Sequence, residues 1–519
     1  MNAGPAGYFF ISEYRVHGVH SITSLEIEKA VYPFLGPART ADDIQGACSA
    51  IEKTYQALGY GAVSVSPLGS ANRSGTVELQ VTEGKVERLR VKEAHYFSPE
   101  KIKEAAPSLA EGRVINFNDI SKDVVGLSQL RERTVTPTLR PGSEAGTYDI
   151  DLTVKDSRPF HASAELNDDR TPNTKPLRLT ASVSDSNLWQ SGQGAGFSFE
   201  EAPQRRLDSE VFSGYFLGRV PGNDWLSIMV QGTKQDSNIS TLGGSTVAGP
   251  GTTAEIRTMM ALPNGKDWST GKDWENFAQS VYVAIGYKHF KQSVNLTPSS
   301  TTTATTGEIV TPITYYPVTA GYSATWSGAG GKGPTTGIDA SVTLNFRGMG
   351  SGPREFDLNR FGADGSFTIF RGDVSHTHPL PGGWEAYAKV SGQVANQPLV
   401  SSEESSGGGE QTVRGYLESE VVGDDGVFGT FELRSPAVLM MGQEREWHFY
   451  VFGDAGKLKV IDPLPEQVAH YSLSSIGVGS RLSLFDHVSG GCDVSYPLIS
   501  QTYTQAHQLQ FRFRVGLEY

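Results

Sequence analysis

From about residue 159 to the C-terminus, apolar and polar side chains alternate with a period of two. The last segment is the clearest: Leu509, Phe511, Phe513, Val515, Leu517 and Tyr519 alternate with Gln510, Arg512, Arg514, Gly516 and Glu518. Successive side chains of a strand point to opposite faces, so this spacing predicts a strand with one wholly apolar face. The same rhythm runs through Val281, Val283, Ile285 and Tyr287, through Ala340, Val342, Leu344 and Phe346, through Trp384, Ala386, Ala388 and Val390, and through Ile476, Val478, Leu482 and Leu484. Counting from turn to turn gives about sixteen segments, each near the length that a tilted membrane strand needs. A soluble sandwich would also alternate. Arginines on the polar face and an aromatic chain end favour a barrel with a wet interior and lipid outside.

Residues 8–84 carry a different pattern: strand, helix, helix, strand, strand. Tyr14–Val19 reads as a short strand, and Thr23 with Glu26 forms a capping box opening a helix that bears Leu25, Val31 and Phe34. Thr40 caps a second helix whose Ile44, Cys48, Ile51, Tyr55 and Leu58 share one face, and Gly59 closes it. Ala62–Val65 and Thr76–Val81 follow as strands. Residues 85–158 repeat the order: strand Val86–Val91, a helix opening at Ser98 and Pro99, a helix capped by Asn118 through Val124, Leu127 and Leu130, then strands Thr134–Leu139 and Tyr148–Val154. A three-stranded mixed sheet leaves free edges to which an extended chain can add as another strand. The pattern does not say which edge.

Connection lengths test the strand count. If Phe160 begins strand one, the connections at one rim should be short, and Ser191–Gly194, Pro221–Asp224 and Leu380–Gly383 are. At the other rim lie the long polar connections Asp236–Thr253, Gln292–Thr311, Arg347–Asp364 and Asn396–Val427, the last being the sixth on that side.

Composition narrows the class. No window approaches the run of about 18 apolar residues that a spanning helix needs, which excludes helical membrane proteins but not a barrel. The net charge of −13 opposes nucleic-acid binding, which relies on clustered Lys and Arg. Cys48 and Cys492 fall in separate domains, so Cys48, on an apolar helix face, is expected as a buried free thiol. Met1–Gly7 has neither basic nor apolar signal-peptide regions, so an exported protein would be represented here by its mature form with an added Met. No nucleophile elbow, H-E-x-x-H, phosphate loop or C-x-x-C occurs, so no enzyme activity and no cofactor are expected. His17 with His20 and His376 with His378 are close in sequence but lack a third ligand, and no metal site is expected.

Two motifs remain. A run of glycines from Ser406 delivers Val413-Arg414-Gly415-Tyr416 within the sixth long connection, and Phe452–Gly456 forms an F-x-D-x-G pattern. By alternation Trp447, Phe449 and Val451 face lipid, while His448, Tyr450, Phe452 and Asp454 face inward. These motifs resemble the two-partner secretion outer-membrane transporters, the TpsB type exporting hemolysins and filamentous hemagglutinins, within the polypeptide-transport barrel superfamily. The leading β-α-α-β-β units resemble POTRA domains, and Leu139–Gly142 followed by Gly146–Val154 is similar to the second such domain of that family.

The resemblance implies POTRA domains at 8–84 and 85–158 and, at 159–519, an all-β barrel of about 16 antiparallel strands in the bacterial outer membrane, with a long inward-folded sixth outer loop. Arg414 would pair with Asp454, Gly415 would permit close approach or positive φ, and Tyr416 would pack on the wall. Val413, Phe452 and Gly456 would complete this lock. Glu432, Arg434, His448 and Tyr450 would line the lumen, Glu432 and Arg434 as channel lining apart from the lock. The implied partner is a secreted TpsA-like exoprotein bound as an extended chain, with folding of that client outside as the drive. Outer-membrane lipid, and the barrel-assembly machinery during biogenesis, would be the other contacts, and a monomer is expected. Family members often carry a plug helix, which the few residues before the first domain do not supply. Two other classes stay open: a barrel-assembly insertase, which typically has more POTRA domains, and a passive porin or surface adhesin, which would not need the first 158 residues.

Overall fold

The structure, a computed structural model, describes residues 8–519 except 70, 71, 73, 129, 131, 221–222, 237–238, 241–246, 249, 264–275, 296–307, 329–332, 440–444, 466 and 486. It divides into two compact units, Met1–Pro159 with Trp189–Gly192, and the remainder.

The first unit holds two α/β subdomains. The first runs β1 (Phe9–Ile11), β2 (Glu13–His17), α1 (Ser24–Val31), β3 (Gly36–Arg39), α2 (Ala41–Ala57), β4 (Val63–Pro67) and β5 (Thr76–Glu83). Its sheet has the order β2-β5-β4, with β2 parallel and β4 antiparallel to β5. Both helices open with a capping box, Thr23 with Glu26 and Thr40 with Asp43, so donors that the helix cannot satisfy find side-chain oxygens. Ile44, Cys48, Ile51 and Tyr55 of α2 pack with Ile27 and Val31 of α1 over Val65, Val77 and Leu79 of the sheet. Leu25, on the same helix as Val31, is 58% exposed. With Thr23 as the cap, Leu25 falls on the outer side of the first turn, and Ile27, four residues before Val31, takes the buried row. The small sheet β1-β3 was not anticipated, because segments this short carry no readable period.

The second subdomain comprises β6 (Lys85–Lys92), α3 (Pro99–Glu104), α4 (Phe117–Leu127), β7 (Arg133–Pro141) and β8 (Thr147–Asp156), with sheet order β6-β8-β7. Ile102, Ile115, Ile120, Leu127, Ile150 and Leu152 are in its core. The cap of α4 is Asn116 rather than Asn118: the Asn116 side chain accepts from the Asn118 N–H at 2.9 Å, and Asn118 is already helical. An Asn-x-Asn sequence offers two caps, and the one with extended backbone takes the role. Cys48 is buried and free, and Cys492 is free and exposed.

The second unit is a closed antiparallel barrel, with 16 strands among the described residues. It runs from strand one (Phe160–Asn167) to strand sixteen (Gln510–Glu518), which pairs back to strand one. Strand eight is broken at Pro317 into Glu308–Tyr315 and Val318–Ser327, both pairing with strand seven (Phe277–Asn295). Strand twelve is broken around Pro436 into Asp425–Arg434 and Val438–Leu439, both pairing with strand thirteen (Arg445–Lys459). Proline has no N–H for the ladder, which explains the breaks. Leu509, Phe511, Val515, Leu517 and Tyr519 are exposed on the outer wall, as are Val283, Ile285, Val390, Ile476 and Val478. An open apolar wall on a closed barrel is the surface that lipid covers. No helix among the described residues is long and apolar enough to cross a membrane.

The connections differ from expectation in detail. The supposed loop Gln292–Thr311 is partly ladder: Gln292 pairs with Thr311 and Asn295 with Glu308, because backbone pairing continues where side chains turn polar. Its Ser/Thr-rich centre, Pro221–Gly222 of one turn and half of Asp236–Thr253 lie outside the described residues. Arg347–Asp364 contains helix α5 (Pro353–Asn359), whose Phe356 packs with Tyr315 and Phe367. Strand twelve starts at Asp425, so the sixth long connection is 396–424, and within it Ser405–Gly407 pairs with Val421–Gly423.

Candidate functional site

The short ladder between Ser405–Gly407 and Val421–Gly423 makes the sixth connection a hairpin whose tip carries residues 408–420. Gly415 has φ +92, and a Cβ there would lie 2.9 Å from Ser495 Cβ and 3.2 Å from Pro497 Cγ. Only glycine lets the tip lie this close to strand fifteen (Val488–Pro497) with that backbone.

Arg414 beside it is 3% exposed and fully engaged. Its Nε donates to Asp454 Oδ2 at 2.8 Å, its Nη2 to Asp454 Oδ1 at 2.8 Å, and its backbone N–H to Oδ2 at 3.1 Å. The remaining nitrogen, Nη1, donates to Glu432 Oε1 at 2.6 Å. The guanidinium also lies 3.6 Å from the ring centroid of Phe452. A planar fork with five donors suits two carboxylates on adjacent strands, and the ring face adds a cation–π contact. Asp454 and Glu432 are themselves buried, whereas Phe431, Phe449 and Val451 are exposed on the outer wall. The arginine therefore meets the inner face of strands twelve and thirteen.

Glu432 had been expected to line the channel apart from the lock. It instead holds the arginine directly, because the register sets Glu432 opposite Phe452, two residues from Asp454. Glu432 also accepts from Arg434 Nε at 2.8 Å, and Arg481 Nη2 lies 3.5 Å from its Oε1. Three guanidiniums thus share two carboxylates. Breaking such a buried set by removing one partner costs about 3–5 kcal/mol, since the rest is left uncompensated.

The flanking residues seat the tip. Val413 packs with Val421, Phe428, Leu458 and Leu473. A Cβ at Gly456 would lie 2.5 Å from the Phe428 ring and 3.2 Å from Val413, so glycine there makes room for both. Tyr416 Oη reaches the carbonyls of Ser474 at 3.0 Å and Ile499 at 2.7 Å. Tyr450 donates to Asp493 and stacks under Arg481, 4.3 Å from its centroid, flanking the arginine cluster. His448 is not brought to it: its Nδ1 faces the Ser435 carbonyl at 3.2 Å.

Other charges on the hairpin, not singled out from sequence, also find the wall or the connection between strands fifteen and sixteen. Glu418 meets Arg512 at 3.1 Å, Glu410 meets Arg514, and Glu420 accepts from the Thr504 N–H at 2.8 Å. Arg512 and Arg514 were legible as inward-facing, but their loop partners had no sequence signal. Among the described residues no group of His, Cys, Asp or Glu could hold a metal ion. The rings of His376 and His378 stack 5.8 Å apart.

In chain order, then, two α/β subdomains come before a closed antiparallel barrel of 16 strands among the described residues. The family model of haemolysin secretion/activation proteins ShlB/FhaC/HecB matches residues 334–482, and that of the ShlB-type POTRA domain matches residues 9–84. The outer membrane transporter CdiB of Escherichia coli O6:K15:H31 is 26% identical over 188 residues, 36% of this chain and 32% of that protein, so the match spans about a third of that relative. CdiB of Dickeya dadantii is 21% identical over 475 residues, 86% of this chain and 75% of that protein. Among solved structures, CdiB from Escherichia coli superposes with a TM-score of 0.66 at 16% identity, covering 100% of this chain and 92% of that one. BamA from Haemophilus ducreyi lacking POTRA domains 1–3 gives 0.54 at 14%, covering 98% and 100%, a likeness of fold. By these matches the chain is similar to two-partner secretion transporters of the bacterial outer membrane, a family whose POTRA domains are periplasmic.

Proposed function

We propose that the chain is the pore through which an unfolded exoprotein is captured in the periplasm and passed to the cell surface. In this reading residues 8–84 and 85–158 are two POTRA domains that receive the client as an extended chain, and residues 159–519 are the conduit. The sixth outer loop folds back into the lumen as a gate. The observation that carries this is the seating of Arg414, whose side chain is matched by Asp454 and Glu432 on the inner wall, an arrangement with no use in a loop meant for solvent.

The test is reconstitution. Liposomes holding only this protein should take up an unfolded two-partner exoprotein, whereas an insertase would assemble barrel clients and a porin would do neither. Arg414→Ala should reduce that uptake by at least tenfold, in line with a buried charge set of about 3–5 kcal/mol, while the barrel stays heat-modifiable on gels. Full uptake by the variant would sink the gate.

A further inference from the structure

The same loop carries a further buried charge eleven residues before Arg414. Glu403, on the limb entering the hairpin, has a side chain 1% exposed. A carboxylate that deep is costly unless its oxygens are matched, and they are. Lys288 Nζ on strand seven approaches Oε1 at 2.5 Å, Tyr315 Oη on strand eight donates to Oε1 at 2.8 Å, and Arg371 Nη2 on strand ten (Thr368–Pro379) donates to Oε2 at 3.2 Å. The Glu403 carbonyl accepts from Gln393 Nε2 on strand eleven (Glu385–Ala395) at 2.9 Å.

These partners lie on strands seven, eight, ten and eleven, and those of Arg414 on twelve and thirteen. The two charges share no partner, so their contributions to holding the loop should add. Their polarity is opposite: the loop gives an anion to a cationic stretch of wall, then a cation to an anionic one. Slipping the loop along the wall therefore sets like charges together.

We propose that Glu403 is a positioning residue, a second anchor that holds the entering limb of the loop against strands seven to eleven independently of Arg414, so that the pore opens fully only when both let go. This rests on the reading of the loop as a gate.

The experiment uses the full chain in planar phospholipid bilayers and compares wild type, Glu403→Gln, Arg414→Ala and the double variant, with Lys288→Met/Tyr315→Phe removing the wall side of the same anchor. Glutamine keeps the volume and loses the charge. The time spent in the wide conductance should rise about tenfold with Glu403→Gln and by a similar factor again when it is added to Arg414→Ala, and Lys288→Met/Tyr315→Phe should match Glu403→Gln. Wild-type behaviour of both Glu403→Gln and the wall variant, with a double variant no more open than Arg414→Ala, overturns the second anchor and leaves the gate standing. If Glu403→Gln does not give a heat-modifiable barrel, the wall variant decides in the same way. A chain lacking residues 405–420 separates the two ideas: unchanged conductance there removes the gate itself, and the anchor with it.

Discussion

At the scale of single residues, the site is a problem in geometry as much as charge. Arg414 spans two carboxylates on neighbouring strands through different nitrogens, Nε and Nη2 to Asp454 and Nη1 to Glu432. Lysine is a point charge with three donors on one atom and cannot hold both in that way. Arg414→Lys should therefore lose nearly as much secretion as Arg414→Ala, while Asp454→Asn, which leaves Glu432 in place, should lose less. Client release by cells carrying each variant gives the ranking; a lysine variant close to wild type would show that charge alone suffices. Asp454 was readable from alternation along strand thirteen, because parity there is enforced by lipid on the other face. Glu432 was readable as inward-facing but not as a partner, since its approach depends on the register between two strands.

At the scale of elements, the first subdomain hangs on one carboxylate. Glu83, at the end of β5, accepts from the N–H groups of His20 and Ser21 at 2.9 Å each and from Tyr55 Oη at 2.7 Å, tying the turn after β2 to helix α2. Burial alone would raise its pKa, but donors from His20, Tyr55 and Ser21 outweigh that and hold it below the ordinary carboxylate value. A depressed folded pKa adds stability above the unfolded value of about 4.3, and that stability is lost as pH falls through the lowered one. The amides of α2 should thus lose protection, read as exchange relative to the intrinsic rate at each pH, below about pH 4. Glu83→Gln should flatten that acid dependence and cost about 2 kcal/mol at neutral pH. Hydrogen exchange on the full chain reads both; an unchanged acid limb in the variant would place the sensitivity elsewhere. Helix caps and buried rows were mostly legible here, and the misassignments, Asn118 for Asn116 and Leu58 on the buried row of α2 where it is the C-cap and 39% exposed, each fall within one helical turn of the right reading. Local spacing cannot choose between neighbours that differ only in which faces the sheet.

At the scale of the whole barrel, closure is the weak seam. Strand sixteen pairs with strand one from Arg514↔Asn167 to Glu518↔Ser163, and the Tyr519 N–H donates to the Ala162 carbonyl at 2.8 Å. Strand thirteen and strand fourteen (His470–Leu484), in contrast, stay in register from Arg445↔Leu484 to Lys459↔His470. If the client leaves through the lumen, the seam need not open. Ala164 and Leu517 are paired across it, so joining them as a disulfide through Ala164→Cys and Leu517→Cys should leave secretion within about twofold of wild type. Loss of secretion that returns on reduction would mean that the seam parts during transport, as an insertase would require.

Much was settled along the chain itself. Alternation determines that residues 160–519 form strands with one apolar face, the short and long connections determine their parity, and the motif in the sixth long connection marks Arg414, because each of these is a property of neighbours in sequence. What only the tertiary structure decided is which distant charges meet: Glu432 with Arg414, and Glu403 with Lys288, Tyr315 and Arg371. Those meetings depend on strand register and on the path of a hairpin across a curved wall, and burial, which makes each meeting obligatory, exists only once the barrel has closed.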